Sequence, residues 1–131
     1  MRKFLFISLL ILPWLGMACA DSHANMGPAT CFEKAYQLAL AGKIDETAEY
    51  FTDEIRNLMK TNQDVTIQKI WAGRLNDGAV KGVKIIERQT DENNCDIKFF
   101  LLTMDGQMTD GEETLVFENG LWKFDKVKRV R

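Results

Sequence analysis

One histidine, two prolines and three cysteines in 131 residues leave this chain short of the side chains on which much enzyme chemistry depends. The histidine, His23, lies in the polar stretch Asp21-Ser22-His23-Ala24-Asn25, so the body beyond it has no imidazole to act as base for a serine, cysteine or threonine nucleophile. The sequence holds no C-x-x-C pair, no metal-spaced cluster and no glycine-rich phosphate loop, so neither a metal nor a cofactor is expected. A basic excess is missing too. The 17 Lys and Arg stand against 19 Asp and Glu, which removes the counterion-release drive behind sequence-independent nucleic-acid binding. The length fits one domain, and 27% charged with 10% aromatic residues excludes a collagen-like or wholly disordered chain.

What is present begins with Met1-Arg2-Lys3, a short cationic start. An apolar run from Phe4 to Met17 follows, interrupted by Ser8, Pro13 and Gly16, and then Ala18-Cys19-Ala20 supplies an A-x-A site. The pattern predicts a signal peptide over residues 1–20, cleaved before Asp21, and export to the periplasm or beyond. A membrane span needs roughly 20 apolar residues, and this run is shorter and broken at Pro13. Cys19 offers a second outcome, lipid attachment. Ala18 fits the position before a lipoprotein cysteine, but Leu15 is one place early and Gly16 stands where leucine belongs. Only in that case would the protein be membrane-bound. Residues 21–28 read as a flexible tail and 29–131 as a single domain.

Cys31 and Cys95 are the cysteines left after cleavage. In an oxidising compartment paired thiols become disulfides, so a Cys31–Cys95 bridge is expected, adding about 4 kcal/mol in the chain-entropy model.

The domain separates into a helical first half and a strand-rich second half. Thr30 with Glu33 reads as a capping box after Pro28, and Phe32, Tyr36, Ala39 and Leu40 recur at helical spacing until Gly42 stops the helix. Asp45 is placed to cap a short second helix through Ala48 and Phe51, and Thr52 to start its continuation through Ile55, Leu58 and Met59. A third helix is expected from Asp64 to before Gly73, with Ile67, Ile70 and Trp71 on its apolar side. From Lys81 the period becomes two. One strand runs to about Gln89 and the next from Cys95 to Met104, and Asp105-Gly106 and Asn119-Gly120 mark two-residue hairpins. The last strand opens on Leu121-Trp122-Lys123-Phe124.

The second hairpin places Phe117 opposite Trp122, Leu115 opposite Phe124 and Glu113 opposite Lys126, on one face whose apolar end is core. Counting back from Asp105-Gly106 without an extra residue would turn Asp96 and Lys98 inward. A β-bulge at Asp110-Gly111 restores Cys95, Ile97 and Phe99 to the core face and is therefore expected. The basic end of the chain, Lys123, Lys126, Lys128, Arg129 and Arg131, reads as cross-strand pairing with Glu112, Glu113 and Glu118.

This order of elements resembles the nuclear transport factor two-like superfamily of α+β cones, and within it the small secreted or lipoprotein domains. The matching residues are the run Ala35-Tyr36-Gln37-Leu38-Ala39-Leu40-Ala41-Gly42-Lys43-Ile44-Asp45, then Ala48 and Phe51, and the closing stretch Glu113 to Phe124. The resemblance implies two to three helices packed on a curved, mainly antiparallel four-stranded sheet. Isomerase-type members use a carboxylate base and tyrosine or acid donors inside the cone. The candidates here are Tyr36, Tyr50, Asp96 and Asp125, with Asp96 and Asp125 facing away from the helices and the Tyr36 hydroxyl at the rim, so no catalytic set forms. Two binding readings remain. A cone cavity would be lined by Tyr36, Phe51, Trp71, Phe99 and Trp122, residues that equally fill a core. An interaction module would use Phe100, Leu102 and Met104 on the outer sheet face, through a homodimer or an envelope protein partner.

Overall fold

The computed structural model describes residues 26–126. The cleavage site, Cys19, His23 and the basic residues Lys128, Arg129 and Arg131 lie outside them. Helix α1 (Pro28–Leu40) starts on the fixed φ of Pro28 after Gly27, with no side-chain cap, so Thr30 and Glu33 sit inside the first turns and do not form the expected box. Its end is a Schellman closure. Gly42 takes φ +83, its N–H donates to the Ala39 carbonyl, and that of Lys43 to Leu38 at 2.9 Å.

A 3₁₀ helix (Ile44–Tyr50) follows, with Asp45 in its first turn instead of at its cap. Helix α2 (Asp53–Thr61) is capped by Thr52, whose Oγ1 accepts from the Ile55 N–H at 3.4 Å. Thr66, not Asp64, caps helix α3 (Ile67–Arg74), accepting from the Lys69 N–H at 3.1 Å. Gly73 lies within α3, which ends one residue later.

Four strands form one antiparallel meander in the order β1 (Val80–Asp91), β2 (Asn94–Thr103), β3 (Met108–Glu118) and β4 (Leu121–Phe124). Asn119 (φ 52) and Gly120 (φ 84) close a two-residue turn with Glu118 opposite Leu121, as expected. Cys95, Ile97 and Phe99 do face the core beside Leu115, but the bulge at Asp110-Gly111 is absent: β2 and β3 pair without a shift from Asn94↔Val116 to Leu102↔Met108. The extra residue sits in the hairpin. The loop is Met104-Asp105-Gly106, with Gly106 at φ 85 and the Thr103 N–H donating to the Gln107 carbonyl at 2.9 Å. Bulges occur instead between β1 and β2, where Ile86 is the residue left over between the pairs Ile85↔Phe99 and Glu87↔Lys98.

The concave face of the sheet carries Ile97, Phe99, Leu101, Leu115 and Phe124 against Phe32 and Tyr36 of α1 and Trp71 of α3. The edge of β4 is covered by the segment entering α2, where Phe51 bridges to Phe124 and the Thr52 N–H donates to the Phe124 carbonyl at 3.0 Å. Phe117 does not belong to the core. It is 44% exposed and meets half-buried Trp122 in a tilted ring pair at 5.3 Å.

Candidate functional site

Four of the five residues expected to line a cavity meet inside the cone, and they fill it. The Tyr36 ring stands edge-on to Trp71 at 5.0 Å, Phe51 lies 5.4 Å from Phe124, and Phe32 lies 4.7 Å from Tyr36 and 4.9 Å from Phe99. These distances are those of packed aromatic pairs. Trp122, the fifth, is outside this group, on Phe117. The Trp71 indole N–H donates to Thr47 Oγ1 at 2.7 Å, and that hydroxyl donates to the Ile44 carbonyl at 2.6 Å, so the polar atoms of Trp71 and Thr47 are paired.

At the centre is an ion pair that the sequence reading did not foresee. Arg74 at the end of α3 donates to both carboxylate oxygens of Glu113 on β3, at 2.6 and 2.7 Å, and both side chains are 1% exposed. Its Nη2 also donates to the Lys126 carbonyl at 2.7 Å. The guanidinium carbon lies 4.3 Å from the Phe124 ring centre and 5.8 Å from those of Phe51 and Trp71, so the charge rests on π faces as well as on a carboxylate. Burial alone would lower the Arg74 pKa, but the charge and hydrogen bonds of Glu113 outweigh it and the net shift is upward. Burial pushes the neighbouring Tyr36 hydroxyl up to about 12, with Arg74 opposing and Glu113 adding to the shift. Tyr36 is thus at the centre of the cone and not at its rim, and Glu113 pairs with α3 instead of facing Lys126.

The outer, convex face of the sheet is built differently. Beyond the row Asp91-Asn94-Val116-Lys123, cross-strand register sets four more on it: Gln89-Asp96-Thr114, Glu87-Lys98-Glu112, Lys84-Phe100-Asp110 and Gly82-Leu102-Met108. Asp96 accepts from the Thr114 hydroxyl at 2.6 Å, and Lys98 Nζ lies 3.7 Å from Glu112. Two shallow recesses share Lys98 and Glu112, one of about 290 Å³ that Glu87, Asp96 and Lys126 also line and one of about 340 Å³ toward Ile86, Phe100 and Asp110. Ile86, thrown outward by its bulge, is 50% exposed, and Met108 is 63% exposed. Phe100 and Leu102 lie on this face as expected. Met104 is in the hairpin loop, and Met108 takes the place beside Leu102.

Two solved structures share the fold. A crystal structure from Campylobacter jejuni named "Putative NTF2-like transpeptidase" aligns with a TM-score of 0.55 at 13% identity, over 77% of this chain and 99% of that one. The fold is NTF2-like. The solution structure of a SEC-C motif-containing protein from Rhodopseudomonas palustris aligns equally well, with a TM-score of 0.55 and 15% identity over 83% of this chain and 81% of that one. No family model and no curated protein matches the sequence. At these identities the likeness carries the NTF2-like fold and leaves the activity to the residues of this chain.

Within this NTF2-like cone the four candidate acid-base residues are not brought together. Tyr36 adjoins Arg74, Asp96 is on the outer face, and the Tyr50 hydroxyl is buried without a hydrogen-bond partner among the described residues. Asp125 does not face away from the helices: it accepts from the Thr52 hydroxyl at 3.2 Å, and Glu118 accepts from the Asp53 N–H at 3.1 Å, so carboxylates from the sheet meet the start of α2. No group of three His, Cys, Asp or Glu suited to a metal occurs among the described residues.

The expected Cys31–Cys95 bridge is not formed in this structure: both cysteines are buried, free thiols. Cys31 Sγ turns to the Met26 carbonyl at 4.0 Å, while Cys95 Sγ accepts from the Thr90 hydroxyl across the β1–β2 ladder at 3.4 Å. Burial pushes the Cys31 thiol upward, against the opposing Trp122 backbone contact.

Proposed function

We propose that the protein is a non-enzymatic interaction module of the cell envelope, exported after cleavage before Asp21 or held there through Cys19, and that it engages its partner with the outer face of the sheet. The observation that carries the reading is the contrast between the two faces. The concave side is occupied by packed rings around the Arg74–Glu113 pair, whereas the convex side leaves Ile86, Leu102 and Met108 in solvent. Exposed apolar side chains grouped on one sheet face mark contact surfaces more often than chance surface residues do. The competing reading, a small-ligand cone, needs space where Tyr36, Phe51, Trp71 and Phe99 touch one another.

The test is photo-crosslinking in cells exporting the full chain, with a benzophenone amino acid at Leu102 or Met108 and, as control, at Lys60 on α2. Discrete adducts from the sheet positions and none from Lys60 are expected. Adducts absent from both sheet positions would overturn the reading. Intact mass of the exported protein separates a chain beginning at Asp21 from one carrying a lipid on Cys19.

A further inference from the structure

We infer that the occupant of the outer sheet face is an extended, cationic polypeptide segment with basic side chains at one end and apolar ones at the other. The inference rests on the interaction reading above and adds the partner's chemistry. Along the strands, the four rows grade from charge to grease. Asp96 heads one row, Glu87 and Glu112 flank Lys98 in the next, Phe100 with Ile86 and Asp110 forms the third, and Leu102 with Met108 the fourth.

Four carboxylates (Glu87, Asp96, Asp110, Glu112) meet three ammonium groups (Lys84, Lys98 and, at the charged end, Lys126) on this surface. The net charge is negative, which disfavours nucleic acid, anionic lipid and a second copy of the same face, and favours a basic partner. Geometry narrows the partner further. Successive rows lie two residues apart on β2 and β3, about 6.6–7 Å, with one extra residue on β1 at the Ile86 bulge, and this is also the spacing of alternate side chains on an extended segment. A segment lying along the strands therefore sets every second side chain over successive rows, in the order basic, basic, apolar, apolar. Its lysines or arginines stand over Asp96 and over Glu87 and Glu112, and its apolar side chains cover Phe100 with Ile86 and Leu102 with Met108.

The probe is a blocked synthetic peptide with lysine, lysine, phenylalanine and leucine at alternate positions and serine between them, followed by fluorescence anisotropy on the full exported protein. A shuffled peptide of identical composition, with basic and apolar residues alternating, is the control for order. The ordered peptide should bind at least about fivefold more tightly than the shuffled one. The double variant Glu87→Lys/Asp96→Lys should weaken it about tenfold, equivalent to 1.4 kcal/mol. The reversal Glu33→Lys/Glu54→Lys, at exposed helix positions with the same change in net charge, should leave affinity within about twofold. Equal binding of both peptides, or equal loss in both double variants, would reduce the effect to bulk charge and overturn the inference. Absence of peptide binding together with a dimer in sedimentation that Leu102→Gln dissociates would also overturn it, replacing the cationic segment by a second copy while the interaction reading stands. That reading fails separately, when Leu102 and Met108 give no crosslinks.

Discussion

Replacing Glu113 by Gln keeps the shape of the side chain and removes the charge that Arg74 needs. In the native protein the guanidinium has two short hydrogen bonds to Glu113, one to the Lys126 carbonyl and the Phe124 ring at 4.3 Å, all with 1% exposure of the side chain. Breaking one side of a buried pair costs about 3–5 kcal/mol. The Lys126 carbonyl and the three rings remain in the variant, which places Glu113→Gln toward the lower end, about 3 kcal/mol. For a domain of this size that lowers Tm by about 15 °C. The double variant Arg74→Met/Glu113→Leu removes both charges and should recover most of the loss, because apolar replacement of a whole buried pair is often neutral or stabilising. Urea unfolding followed by tryptophan fluorescence reads both, since Trp71 is in the affected wall. A loss below about 1 kcal/mol for Glu113→Gln, or a double variant less stable than the single one, would refute the account of a charge kept in the interior by its partner.

Gly111→Ala should cost about 1–3 kcal/mol, the usual range for overpacking, because a Cβ there would meet the Phe99 ring at 2.8 Å; the denaturation midpoint reads it, and Phe99→Leu in the same background should reduce the cost. The chain has two tyrosines, and burial pushes both Tyr36 and Tyr50 up to about 12. Their folded pKa values lie above the unfolded value near 10, so their contribution is complete below pH 10 and is lost as pH rises through 12. Absorbance at 295 nm should stay flat until the fold is lost, and a tyrosinate transition near pH 10 with the fold intact would contradict the burial of both rings. Ellman's reagent should find no reactive thiol in native protein and two in denaturant without reductant, from Cys31 and Cys95; none in denaturant would mean that the two are joined.

Some features that rest on local backbone chemistry could be placed from the residues alone. Asn119-Gly120 accepts two positive φ values and closes the predicted turn, Thr52 caps α2, and Gly42 ends α1. The sheet parity was also legible, since alternation of Cys95, Ile97 and Phe99 with polar residues leaves one sensible inward set. The device that delivers it was not. Gly111 looked like a bulge glycine because a glycine in a strand has two common causes, and only the position of the Phe99 ring shows that this one keeps space for an aromatic side chain. The core ion pair was missed for a deeper reason. Charged residues were read as surface wherever they occurred, yet Arg74 lies four residues after Ile70 and three after Trp71, on their face of α3, and Glu113 shares the inward parity of Leu115. Each is an anomaly by itself, a charge on an apolar stripe, and burial of either alone is prohibitive. Opposite charges on the inward stripes of two elements remove that objection only when the elements meet, and what brings Arg74 to Glu113 is the packing of α3 across the sheet, which no local pattern in the sequence encodes.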